Sequence, residues 1–134
     1  METIKIHYPG NLRTQATHVA SGVELITDAP LDNHGKGESF SPTDLLCSSL
    51  GSCMLTLMGI AANTHSIDLV GTDVSVTKIM VSNPRKVGEI KISIYFPKNH
   101  YSDKEKKILE LAALTCPVYL SLHDSVIKTV EFIY

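Results

Sequence analysis

The chain reads as an α+β domain with the element order βββ-α-ββ-α-β. Three observations predict it. Short segments of alternating polar and apolar residues fill the first 28 positions, an apolar stretch of helical period follows Ser41, and alternating segments return after residue 72, interrupted once by a second helical stretch. In such an order the long helix packs on antiparallel sheet. The 134 residues supply a single domain, 1–134, with a real core and too little chain for two comfortable ones.

The first three strands are IKIHY, RTQATHV and VELITD, with Ala20-Ser21-Gly22 as a hairpin turn between the second and third. Residues 29–40, APLDNHGKGESF, combine proline, asparagine and two glycines, which makes them a loop. Ser41 then offers an N-cap, Pro42 suits the first helical position, and Asp44 lies three residues after Ser41 as in a capping box. Leu46, Leu50, Cys53, Leu57 and Ala61 fall on one helical stripe, and Leu45, Met54 and Met58 broaden it until little of the helix can face water. A helix so apolar has to be buried, and a chain this short has limited material to cover it, so a partner subunit is expected.

Strands resume as TDVSVTKIMV (72–81) and VGEIKISIYF (87–96), turning at Ser82-Asn83-Pro84-Arg85. Ser102-Asp103-Lys104-Glu105 opens a second helix with a capping box, and Ile108, Leu111, Ala112 and Thr115 recur at helical spacing. Cys116-Pro117 interrupts that helix, a short helical turn runs from Pro117 to Leu122, and residues 126–133 close as a last strand.

Composition excludes several function classes. Apolar residues make up 43% and charged residues 19%, and 12 basic against 14 acidic residues are scattered to a net charge of −2. That pattern offers no nucleic-acid surface and no polybasic membrane anchor. The opening METIKIHYPG lacks the apolar core of a signal peptide, and no uninterrupted apolar run approaches ~18 residues, so a soluble, cytoplasmic protein is expected. The six histidines form no HxxxH or HExxH motif, no CxxC is present, and the NHGKG loop lacks the spacing of a phosphate cradle. Neither a metal nor a nucleotide cofactor is expected.

The three cysteines carry the remaining chemistry. A cytosolic compartment keeps thiols reduced, so they read as reactive, metal-binding or core residues rather than as a disulfide framework. Cys47 and Cys53 share one helix, where six residues separate them by ~9 Å along the axis and ~120° around it. A disulfide needs Cα atoms within ~7 Å, and a shared metal fails for the same reason. Cys53 can therefore meet only Cys116, and Cys47 is expected to be inert. Cys116 would cap the turn that begins at Pro117, where unsatisfied N–H groups favour a thiolate. Cys53 lies within its helix and would need a cation from elsewhere. Arg13 is the candidate, with an acidic side chain to orient it.

SPTDLLCSSLGSCM resembles the helix signature of the OsmC/Ohr family, in which a Ser/Asn-Pro start and an acidic residue lead through small residues to a reactive cysteine. TCPVYLSL resembles that family's second cysteine motif, and the 63-residue separation of Cys53 and Cys116 suits it. YPGNLRTQATH, with Arg13, resembles the family's first hairpin, and NHGKGESFSP its approach loop. Well-studied hydroperoxide-resistance members carry a glutamate directly after the proline. Here that position is Thr43 with Asp44 next, which is closer to an uncharacterised OsmC-like branch. One residue is ~100° around a helix, so Asp44 would approach Arg13 from another direction, and Glu38 is a second candidate to orient it.

The resemblance implies an OsmC-like fold with the long central helix buried, in an intertwined homodimer with its active site at the subunit interface. It further implies a thiol-dependent peroxidase for organic hydroperoxides. Cys53 would attack the peroxide, Cys116 would resolve the product as a Cys53–Cys116 disulfide, and Arg13 would hold the thiolate. An external dithiol reductant, dihydrolipoyl in some members, would complete the cycle. Three other readings stay open: a non-catalytic dimer that binds an apolar small molecule, a redox-sensing thiol protein, and a metal site built from Cys53, Cys116 and a histidine.

Overall fold

The computed structural model describes residues 1–97 and 100–134. The chain forms two compact units, Met1–Leu46 and Cys47–Tyr134. In the first unit β1 (Ile4–Gly10), β2 (Arg13–His18) and β3 (Glu24–Asp28) form an antiparallel sheet in the order β1-β2-β3. The β2–β3 turn closes through His18 and Gly22, whose N–H donates to the His18 carbonyl at 2.8 Å. Counting outward from it pairs Thr14 with Thr27 and Arg13 with Asp28. The loop that follows contains a single 3-10 turn, Leu31–Asn33, and is clipped to the sheet by Ala29 N–H to Leu12 O and Asp28 N–H to Phe40 O, both 3.0 Å. Gly35 is required in this loop, because a Cβ there would lie 1.7 Å from the Ala29 carbonyl oxygen.

Helix α1 (Pro42–Thr64) starts with the expected capping box. Ser41 Oγ accepts from Asp44 N–H at 3.0 Å, and Asp44 Oδ2 accepts from Ser41 N–H at 2.9 Å. Its buried residues are Cys47, Leu50, Gly51, Met54, Met58 and Ala62. This stripe differs from the expected one, since Leu46 is exposed and Cys53, Leu57 and Ala61 are only partly buried. A helix apolar on every side has no contrast from which periodicity can choose its inner face. Met54 and Met58 are fully buried and fill the core. Gly51 lets the helix pass closely over the strand beneath, because a Cβ there would stand 3.1 Å from Val76 Cγ2. Among the described residues α1 is the helix long and apolar enough to cross a membrane. Counting uninterrupted apolar residues missed this, because Ser, Thr and Gly break the run without making it polar.

The second unit completes its core with β4 (Asp73–Val81), β5 (Lys86–Tyr95) and β6 (Ile127–Ile133), in the order β4-β5-β6. Val87, Ile90, Ile92 and Ile94 of β5 are buried, as befits a central strand. β4 pairs antiparallel to β5, but β6 pairs parallel to it, so this sheet is mixed where antiparallel pairing was expected. The reason is the connection. Between β5 and β6 run α2 (Asp103–Leu114) and α3 (Pro117–Ser121), and a crossover of that length can return a strand in the same direction. α2 carries its own capping box, with Ser102 Oγ accepting from Glu105 N–H at 3.1 Å and Glu105 Oε1 from Ser102 N–H at 2.9 Å. Its buried residues Leu109 and Ala113 join the core.

Candidate active site: a thiol pair and an arginine clamp

Two groups of chemistry-bearing residues stand out, one in each unit. In the second unit Cys53 lies close enough to Cys116 to bear on its ionisation, and both are free thiols. α1 contributes Cys53 from a flank of its buried stripe, so that thiol is partly exposed. Cys116 is fully buried and serves as the N-cap of α3, its Sγ accepting from Tyr119 N–H at 3.3 Å. Pro117 occupies the first helical position, where a missing N–H costs nothing.

The cap was expected to favour a Cys116 thiolate, and the structure corrects this. Burial pushes the Cys116 thiol above its ordinary value, the Cys53 thiol beside it raises it further, and the Tyr119 and Val118 N–H groups only partly oppose them. A five-residue helix supplies a small dipole, whereas burial strips the thiolate of its water. Cys116 is therefore kept as a neutral thiol. Cys47 is buried in the core at 2% exposure, in keeping with an inert role.

In the first unit Arg13 is clamped by the Asp28 carboxylate, with the Glu38 carboxylate farther off. Its Nε donates to Asp28 Oδ1 at 2.7 Å and its Nη2 to Asp28 Oδ2 at 2.9 Å, a bidentate pair of the kind that fixes a guanidinium plane. Glu38 Oε2 lies 3.8 Å from Nη2 and is largely exposed, whereas Asp28 is 1% exposed. Asp28 Oδ2 also accepts from the Glu38 backbone N–H at 3.2 Å, tying the loop to the hairpin. These bonds satisfy the buried carboxylate. The Arg13 hydrogen bond holds its pKa below the usual carboxylate range against the opposing effect of burial, helped by the guanidinium charge, the Glu38 N–H and Lys36. Arg13 is held correspondingly more firmly protonated, chiefly by the bond to Asp28. Nη1 makes no hydrogen bond or ion pair among the described residues, which leaves its two N–H donors for a ligand.

Each expected site residue can now be placed. Cys53 and Cys116 come together. Arg13 and Glu38 come together. Asp44 uses its carboxylate in the α1 cap, and the carboxylates that act on Arg13 are those of Asp28 and Glu38. Asp28 was missed because counting outward from the three-residue turn Ala20–Gly22 sets position 13 opposite 29, whereas the register that forms pairs Thr17 with Glu24 and so Arg13 with Asp28. The same loop lines a shallow, open depression of about 410 Å³ with Gly37, Glu38, Ser39, Phe40 and Asp44.

The OsmC-like protein family matches residues 35–131. A protein of Psychrobacter arcticus named for osmotic stress induction and detoxification response is 52% identical, and its structure superposes with a TM-score of 0.94 over 98% of this chain and 96% of that one. An organic hydroperoxide resistance protein OsmC of Legionella pneumophila shares the fold at 15% identity, with a TM-score of 0.77 over 98% of this chain and 95% of that one. The organic hydroperoxide resistance protein OhrB of Bacillus subtilis does so at 13% identity, with a TM-score of 0.70 over 96% and 95%. No functionally curated protein matches the chain. With most of its length matched by the family, and its fold shared with hydroperoxide-resistance proteins, the chain belongs to the OsmC-like protein family.

Proposed function

We propose that this protein is a cytoplasmic thiol peroxidase that reduces organic hydroperoxides, acting as a homodimer with its active site at the subunit interface. The observation that carries the reading is the proximity of the partly exposed Cys53 to the buried Cys116. Family membership and the hydroperoxide-resistance relatives support it.

The chemistry follows from the residues. The Cys53 thiolate attacks one peroxide oxygen, the O–O bond breaks, and the alkoxide leaves to take up a proton as the alcohol. Cys53 becomes a sulfenic acid. In this reading Arg13 supplies the cation that stabilises first the thiolate and then the charge on the leaving oxygen. Cys116, held neutral, does not compete for peroxide. Its sulfur then displaces the sulfenic hydroxyl, which departs as water with the Cys116 proton, and the Cys53–Cys116 disulfide forms. A small dithiol of the dihydrolipoyl class reduces it by two exchanges, leaving as its own cyclic disulfide. No bound cofactor is needed.

Stopped-flow oxidation of the reduced protein by cumene hydroperoxide, beside hydrogen peroxide, tests the reading. Loss of two thiols per chain, fast and selective for the organic peroxide, is the expected result. Oxidation no faster than that of a free cysteine overturns it.

A further inference from the structure

We infer that Asp28 is the positioning residue for the peroxidase reaction, holding Arg13 in the orientation that the chemistry needs in place of an acid at the start of α1. The inference rests on the proposed function and deepens it. The position after the helix-start Pro42 is Thr43, which offers no carboxylate. The neighbouring acid, Asp44, closes the capping box with Ser41. Two carboxylates remain for Arg13, and they are unequal.

Asp28 is 1% exposed and grips two nitrogens at 2.7 and 2.9 Å, whereas Glu38 is 64% exposed and stands 3.8 Å away. An exposed carboxylate at that distance is screened by water and fixes no geometry. A buried bidentate partner fixes the guanidinium plane and so decides where Nη1 points. Asp28 adds a second constraint by accepting from the Glu38 backbone N–H at 3.2 Å, so one carboxylate orients the arginine and anchors the loop beside it. The two residues sit directly opposite each other in the β2–β3 register, on a hairpin rather than a loop tip. A rigid element positions a group more precisely than a loop does.

The test compares full-length reduced wild type, Asp28→Asn and Asp28→Glu in their second-order oxidation by cumene hydroperoxide from pH 5 to pH 9. Iodoacetamide alkylation of Cys53 is followed in parallel to report its thiolate. Asp28→Asn is expected to lower the peroxide rate on the order of ten- to a hundredfold, the cost of misplacing a charge by an ångström or so. It is also expected to shift the pH dependence of Cys53 alkylation, which a merely structural role would leave in place. Asp28→Glu keeps the ion pair and the fold while displacing the guanidinium, and is expected to fall between the two. In an Arg13→Gln background, Asp28→Asn is expected to add no further loss. Fast wild type with unchanged Asp28 variants overturns the inference and leaves the peroxidase reading standing. Wild type as slow as free cysteine overturns both. Should Asp28→Asn fail to fold, Asp28→Glu decides, and a wild-type rate there overturns the inference.

Discussion

Cys53 and Cys116, 63 residues apart in the chain, are neighbours in the fold, one partly exposed on α1 and the other buried as the cap of α3. The asymmetry of that pair is its chemical content. An exposed thiol can be reached by a peroxide, and a buried neutral one can be reached only by the sulfenic acid formed beside it.

Cys53→Ser and Cys116→Ser should therefore fail differently. Without Cys53, peroxide consumption is abolished. Without Cys116, a single turnover leaves a sulfenic acid on Cys53 that a dimedone-type probe labels, and prolonged peroxide drives it to the sulfinic acid. Mass spectrometry of the Cys53 peptide reads both outcomes, and equal, negligible effects of the two changes would point to a ligand-binding dimer instead.

The buried thiol carries a pH signature. Burial raises the pKa of Cys116 above the ordinary thiol value, so any stability attached to its neutral form is complete below that value and is lost as pH rises through the raised one. In the Cys53→Ser variant, alkylation of Cys116 should stay slow at pH ~8.5, where a free thiol is half ionised. Peptide-resolved iodoacetamide labelling across pH 7 to 10 measures it, and half-maximal labelling at or below the free-thiol value would refute the assignment.

The arginine clamp has the opposite sign. Asp28 is held below the usual carboxylate range, so its contribution to stability is complete above the unfolded value of ~3.9 and is lost only as pH falls through the lowered folded value. Urea unfolding of wild type and Asp28→Asn at neutral pH and at pH ~3 should show the gap between them narrowing in acid. A constant gap would mean that the Asp28 carboxyl titrates alike in the folded and unfolded chain, and would refute the lowered value.

Ser102→Ala removes one half of the α2 capping box and leaves the donor Glu105 N–H uncapped. The expected cost is about 1 kcal/mol in chemical denaturation, as for other cap deletions. Ser102→Asp should recover most of it, since an aspartate accepts the same bond.

At Gly51 a larger change should tell. A Cβ already meets Val76 at 3.1 Å and Val74 at 3.4 Å, so Gly51→Leu must push α1 away from β4, at a cost of about 1–3 kcal/mol despite the better helix propensity. Wild-type stability in this variant would show that the helix is free to move there.

The local chemistry of the chain was legible from the residues alone. Ser41-Pro42 and Ser102–Glu105 announced their helices because caps act over three residues, and Cys116-Pro117 announced α3 for the same reason. The six-residue spacing of Cys47 and Cys53 ruled out their pairing by helix geometry. What tertiary structure decided was everything that depends on partners distant in the chain. The inner face of α1 was chosen by what packs on it, because apolar residues all round it left periodicity nothing to read. β6 runs parallel to β5 because of where the α2–α3 crossover delivers it, and a strand's own pattern is the same in either direction. Burial overruled the cap at Cys116, since desolvation depends on the whole surrounding core. Arg13 found its partner in Asp28 through strand register, fifteen residues away, because hydrogen-bonded strands bring together side chains that adjacency in sequence does not.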